Sequence, residues 1–251
     1  MALAAAVTTA IVSVLAALAS AQPFPRFPEP YCHRADFKSI DTTVRAELCT
    51  ATRDASAGRA VVVLHGCGGF DTFDHRLVAT LPLDGISTLD VDYFAPTPPS
   101  GDKGFCPGEK RRFSPDLFSR WIRVIDDAAS ALDRTPGIDA AHVGVVGWSL
   151  GGGLALAAAE SSPRFHAAAG FSTGLYGPPS PGLSSLPPTL LLSGGTTDAV
   201  PLSSTLALYR AARALGVKAS LFVYPHGTHQ WRRAQGTAGI ARAARFLRTR
   251  L

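Results

Sequence analysis

Apolar residues recur along the chain in two alternating patterns. Short unbroken runs rich in β-branched types are followed by longer stretches with helical apolar spacing. The clearest run is residues 59–64 (RAVVVL), and a continuous block of this kind predicts a strand buried on both faces. Further strands are predicted at 85–93 (GISTLDVDY), 143–146, 166–171, 189–192 and 219–223. Residues 117–132 place Trp121, Val124, Ile125 and Ala128 on one face of a helix. Residues 150–160 read as an Ala-rich helix, and 201–215 and 236–247 as two more. Residues 22–36, rich in Pro and aromatics, read as an extended arm, and Pro and Gly make 96–107 a loop. Strands alternating with helices predict a mostly parallel central sheet with helices on both faces. No repeat or linker divides the chain, so residues 22–251 are expected to form one domain, with the arm and first strands at 22–57.

The amino terminus breaks this pattern. Residues 1–21 hold 17 apolar residues and no charged side chain, and the first charge is Arg26. The stretch ends in Ala19-Ser20-Ala21, a small-x-small triplet, followed by Gln22-Pro23. It reads as a signal peptide cleaved after Ala21, which implies a secreted or periplasmic protein. The alternative is an N-terminal membrane anchor, since the run is just long enough to span. No later segment is long and apolar enough to cross a bilayer, so no stable membrane association is expected once the leader is removed.

Export changes the meaning of the cysteines. Cys32, Cys49, Cys67 and Cys106 are even in number, which suggests two disulfides with three possible pairings. The most local pairing is Cys32–Cys49 with Cys67–Cys106. No pair has the C-x-x-C spacing of a zinc or redox site, and no metal is expected. The remaining composition is ordinary, with 46% hydrophobic and 17% charged residues and a net charge of +5. The densest basic cluster, Arg242, Arg245, Arg248 and Arg250, alternates with Ala and Leu. It reads as a solvated helix face rather than a nucleic-acid surface.

Against this background one segment carries chemistry. Gly147-Trp148-Ser149-Leu150-Gly151 lies between a predicted buried strand and an Ala-rich helix, the context of a nucleophile elbow. A serine on so sharp a turn needs small neighbours two positions away. Its hydroxyl also needs a base held by a third group. In the α/β-hydrolase fold the chain order is Ser, acid, His. Asp198 follows the run TLLL, and His229 follows the strand at 219–223. His226 competes with His229 for the role of base. His65-Gly66-Cys67-Gly68-Gly69 follows the strand RAVVVL, and its backbone can supply an oxyanion donor. The donor residues are expected to be Cys67 and Leu150, with His65 fixing the loop by hydrogen bonding.

Together these stretches resemble the dienelactone hydrolase family of α/β-hydrolases over roughly residues 58–250. The similar segments are HGCGG at 65–69, DVDYFAP at 90–96, VGVVGWSLGGGLALA at 143–157, GFSTGLYG at 170–177, SGGTTDAVP at 193–201 and YPHGTHQW at 224–231. The resemblance implies an α/β-hydrolase fold and hydrolysis of a carboxylic ester, with no cofactor; the alternatives are a serine peptidase or polyester hydrolase on the same fold, or a catalytically silent binding protein. The family's Tyr-Pro-x-x-x-His pattern selects His229 over His226. The enzymes that name the family carry Cys where this chain has Ser149, and Glu near Gly66-Cys67. Tyr93, Trp148, Phe171 and Trp231, with Phe94 and Tyr176, flank the site loops and are candidates to line a pocket for a small-molecule ester. Residues 96–113, with Arg111 and Arg112, are a candidate lid or rim.

Overall fold

The structure, a computed structural model, describes residues 30–98, 104–106, 114–175 and 181–251. The expected leader, most of the candidate lid and Tyr176 lie outside these residues.

Among the described residues ten strands form, and eight of them make the central sheet. They are β1 (Tyr31–Arg34), β2 (Phe37–Ser39), β3 (Thr42–Val44), β4 (Ala46–Thr50), β5 (Ala60–Leu64), β6 (Ser87–Val91), β7 (Val143–Trp148), β8 (Ala167–Phe171), β9 (Thr189–Ser193) and β10 (Ala219–Val223). The sheet order is β1-β4-β6-β5-β7-β8-β9-β10, while β2 and β3 pair as a separate antiparallel ribbon. β1 and β4, and β4 and β6, pair antiparallel; the remaining neighbours are parallel. Among the described residues the α-helices are α1 (Thr72–Thr80), α2 (Pro115–Asp133), α3 (Leu150–Ser161), α4 (Leu202–Ala214) and α5 (Arg233–Arg250), and they cover the sheet.

Strand alternation divides the apolar residues between two cores. In β5, Ala60, Val62 and Leu64 join the core under α2, α3 and α4, while Val61 and Val63 join the one under α1 and α5. That is why AVVVL has no polar position: both faces of the strand are covered. The expected mixed fold, with helices on both faces of a mostly parallel sheet, is present.

Two elements differ from the sequence expectation. Residues 31–34 are not a free arm but the edge strand β1, with Cys32 opposite Cys49 in the register. That register lets the two cysteines form a disulfide. Helix α1 was not expected. It begins at Asp71, whose side chain accepts from the Phe73 amide at 2.6 Å, while the Asp74 carboxylate accepts from the Asp71 amide at 2.9 and 3.0 Å. This reciprocal cap fixes the helix start, and Phe73, Leu77 and Val78 bury its inner face.

The chain visits β5, moves to β6 on one side, then returns to β7 on the other. Strand order therefore reverses at β5, and Leu64 lies opposite Gly147 in the register. The loops leaving β5 and β7 start side by side at the C-terminal edge of the sheet. A crevice at such a switch point is where ligands of open parallel sheets bind.

Candidate active site

Ser149 follows β7 and precedes the first residue of α3, with φ 56° and ψ −118°. A side chain rarely tolerates that backbone, which costs roughly 1–3 kcal/mol and persists only where its surroundings impose it. Here the surroundings are tight. A Cβ at Gly147 would sit 2.2 Å from the Gly151 carbonyl oxygen, and one at Gly151 would sit 2.3 Å from the His65 carbonyl oxygen. The glycines on either side of Ser149 are thus required by close backbone approach. The Ser149 amide donates to the Phe171 carbonyl at 2.9 Å, tying the elbow to β8.

Three loops then converge. Nε2 of His229 lies 3.0 Å from Oγ of Ser149, and Nδ1 lies 2.7 Å from Oδ1 of Asp198. The Asp198 side chain is fully buried, and that of His229 keeps 17% exposure. Oδ1 of Asp198 also accepts from the Val200 amide at 3.1 Å, and Oδ2 from the Gly194 amide at 2.8 Å and from the Ser172 hydroxyl. Burial pushes the Asp198 pKa up, but hydrogen bonds from His229, Ser172, Val200 and Gly194 outweigh it and hold the carboxyl below its usual range. An ionised Asp198 only accepts, so Nδ1 of His229 carries the proton and Nε2 is left to accept from Ser149.

His226 is exposed and forms an isolated bridge with Gly195, while the imidazole on Asp198 is that of His229. Trp148 instead holds the His229 segment: its indole N–H donates to the His229 carbonyl at 2.7 Å, and the two rings lie 5.2 Å apart.

Ser172 and the role of Trp231 were not legible in the sequence. Trp231 donates its indole N–H to the Ser172 hydroxyl at 2.7 Å, and Ser172 passes a hydrogen bond to Asp198. Both residues have left-handed backbones, Ser172 with φ 48° and Trp231 with φ 47°.

The loop at 65–69 abuts the start of α3, as the close approach of the His65 carbonyl to Gly151 requires. A Cβ at Gly66 would strike the Trp148 ring at 2.5 Å, so this loop lies directly on the elbow. The amides of Cys67 and Leu150 donate to no described residue, and Leu150 opens a helix N-terminus. Cys67 is bridged to Cys106, and the Phe105 amide donates to the Cys67 carbonyl at 2.6 Å. His65 is buried, which lowers its pKa to about 4 and leaves it neutral. Its Nδ1 lies 2.8 Å from the Gly66 carbonyl, and its ring stacks on Tyr93 at 4.2 Å.

The pocket expectation needs correction. Tyr93, Phe171 and Trp231 have no exposed surface, and Phe94 is 4% exposed. Tyr93 instead donates to the His65 carbonyl at 2.9 Å, while Phe171 and Trp231 pack edge-to-face in the core under α1 and α5. Of the described candidates Trp148 is the most exposed, at 9%. These side chains shape the site from behind rather than line it.

Asp74, His75 and Asp90 bring three atoms of metal-ligand type within 4.8 Å of one another. Both oxygens of Asp74 are engaged in capping α1, and burial pushes Asp74 up to about 9 and Asp90 up to about 7. The helix start accounts for the position of Asp74.

A strained serine elbow after a central parallel strand, in this sheet order, defines an α/β-hydrolase. The model of the dienelactone hydrolase family matches residues 46–247, and the chain belongs to that family. No curated protein matches the chain. Among solved structures it is similar to a dienelactone hydrolase from Anabaena variabilis, with 19% identity, a TM-score of 0.66, and coverage of 89% of this chain and 100% of that one. A dienelactone-hydrolase-like promiscuous phosphotriesterase from metagenomic libraries shares 15% identity, with a TM-score of 0.69 and coverage of 89% and 99%. A cold-adapted esterase from an Arctic intertidal metagenomic library shares 20% identity, with a TM-score of 0.63 and coverage of 88% and 94%. At these identities the likeness concerns the fold.

Proposed function

We propose that this chain is an exported serine hydrolase that cleaves small carboxylic esters through an acyl-enzyme on Ser149. The observation that carries the reading is the continuous line from Asp198 through His229 to Ser149, at 2.7 and 3.0 Å. Ser149 attacks the ester carbonyl while Nε2 of His229 takes its proton. Asp198 holds the imidazole tautomer and stabilises the charged ring that forms. The amides of Cys67 and Leu150 stabilise the tetrahedral oxyanion, at about 3 kcal/mol for one such donor. His229 then returns the proton to the leaving alcohol. Water, activated by the same base, releases the acid and restores Ser149.

Two disulfides support export, because such bonds persist in oxidising compartments. Among the described residues no helix is long and apolar enough to cross a membrane. The intact mass of the exported protein tests the leader: cleavage gives a chain beginning at Gln22, and a retained Met1 contradicts it.

Stopped-flow hydrolysis of p-nitrophenyl acetate tests the reaction. A burst of nitrophenol equal to the enzyme concentration is expected, and it should vanish in Ser149→Ala and His229→Ala while surviving in His226→Ala. Loss of the burst in His226→Ala with survival in His229→Ala would reverse the assignment of the base.

A further inference from the structure

The edge of the sheet opposite Ser149 holds a second feature. A cleft of about 510 Å³ opens there between the segment before β5 and the last turns of α5. Arg59, Arg245 and Arg248 line it, with Asp54 as the one lining carboxylate and Ser56 beside it. Arg245 and Arg248 are exposed and Arg59 is half-buried.

None of the three arginines forms an ion pair or side-chain hydrogen bond with a described residue, and Nε of Arg59 is enclosed without a partner. That is unusual for a buried donor, which is normally satisfied. Arg245 and Arg248 are three apart on one helix, a spacing at which like charges repel. Arg59 adds a third positive charge from a different element. Arg242 of α5 and nearby Arg76 are engaged elsewhere. Arg242 lies 3.5 Å over the Phe222 ring, with Nε 3.4 Å from the Tyr224 hydroxyl, and Arg76 donates to the Trp231 carbonyl at 2.9 Å. The basic face of the last helix is therefore divided. Arg242 braces β10, while Arg245 and Arg248 turn with Arg59 into one concavity.

We infer that the Arg59–Arg245–Arg248 cleft is a binding site for a phosphate ester group. Guanidinium forks match the paired oxygens of a phosphate, and three of them from two directions can share its charge. The cleft exceeds what a bare phosphate fills and falls in the size range of small-ligand sites. The ligand is thus a phosphate group carried on an organic body, with room for its hydroxyls near Ser56. The same chemistry is found in a soluble sugar or glycerol phosphate and in an anionic phospholipid headgroup. The site lies on the opposite sheet edge from Ser149 and does not depend on the ester-cleaving reading.

The test uses the intact, disulfide-bonded chain in a phosphate-free buffer. Calorimetric titration with glycerol 3-phosphate is run beside cosedimentation with phosphatidylcholine vesicles, with and without phosphatidylglycerol. Saturable one-to-one binding of glycerol 3-phosphate is expected. It should weaken about tenfold or more in Arg245→Gln/Arg248→Gln and in Arg248→Lys, where charge is kept and the fork is lost. Arg242→Gln should bind as the parent does. Retention only on vesicles containing phosphatidylglycerol, with the same variant pattern, supports the site and assigns the phosphate to lipid. Binding of neither probe overturns the inference, as does binding that survives in the cleft variants or falls equally in Arg242→Gln. Should the double variant fail to fold, Arg248→Lys carries the comparison.

Discussion

Trp231 donates a hydrogen bond to Ser172 at 2.7 Å, and Ser172 donates to the carboxylate of Asp198. A buried indole thus reaches the proposed acid through one hydroxyl. Ser172→Ala removes a donor from Asp198 and leaves the Trp231 N–H unsatisfied, which costs about 1–3 kcal/mol. Esterase activity is expected to fall about tenfold or more, with thermal stability reduced. The conservative variant separates orientation from folding. With one hydrogen bond fewer on the carboxylate, the Asp198 pKa rises. Ser172→Thr, which keeps the hydroxyl, should restore activity.

The acid stability of the protein follows from the same carboxylate. The folded pKa of Asp198 lies below its ordinary value of 3.8. Its contribution is fully present above 3.8 and is lost as pH falls through the folded value. In Asp198→Asn, this part of the acid-induced loss should disappear from melts taken between neutral pH and pH 2.

Asp90 gives the opposite slope. Burial raises it to about 7, so the native state holds a proton that the unfolded chain has released. Its folded form is favoured below the unfolded pKa, and that contribution is lost as pH rises toward 7. Asp90 lies at 3% exposure with Oδ1 unpartnered, and its burial outweighs the Val91 backbone hydrogen bond and the Arg45 charge that favour the carboxylate. Melting temperature should decline from pH 5 to pH 8, and Asp90→Asn should flatten the decline.

The two disulfides should behave differently. Cys67–Cys106 spans 39 residues and ties residues 104–106 to the proposed oxyanion loop; Cys32–Cys49 spans 17 and fastens an edge strand. The loop-entropy model gives both bonds a few kcal/mol, about 3–4 each. Both removals should lower the melting temperature. Cys106→Ser should also reduce kcat, because the Cys67 amide loses its tether, whereas Cys32→Ser/Cys49→Ser should leave kcat near that of the parent.

The legible parts of this molecule are those whose signal is local. β5, β7 and β9 are unbroken apolar runs, and Ser149 and Asp198 stand in the loops that leave β7 and β9. Chain order could therefore be read as spatial order at one sheet edge. The supporting contacts were not legible, because they join distant loops. Ser172, Asp198 and Trp231 meet only through the parallel order of β8, β9 and β10, and two of them rely on left-handed backbones that no motif announces. The aromatic residues misled for a related reason. Position beside a site loop says nothing about which way a ring points, and Phe171 and Trp231 turn into the core between sheet and helix. β1 escaped notice because all four of its residues are exposed, so burial leaves no periodic trace. Helix α1 escaped because its cap is an Asp pair rather than Ser or Thr with Glu.

The central claim is that Ser149 is a nucleophile activated by His229. Labelling the folded, oxidised protein with a fluorophosphonate, followed by tryptic mapping, tests it most directly. The account predicts stoichiometric modification of Ser149, abolished in Ser149→Ala and strongly slowed in His229→Ala. A folded protein that takes up no label, or takes it up at another residue, would contradict it.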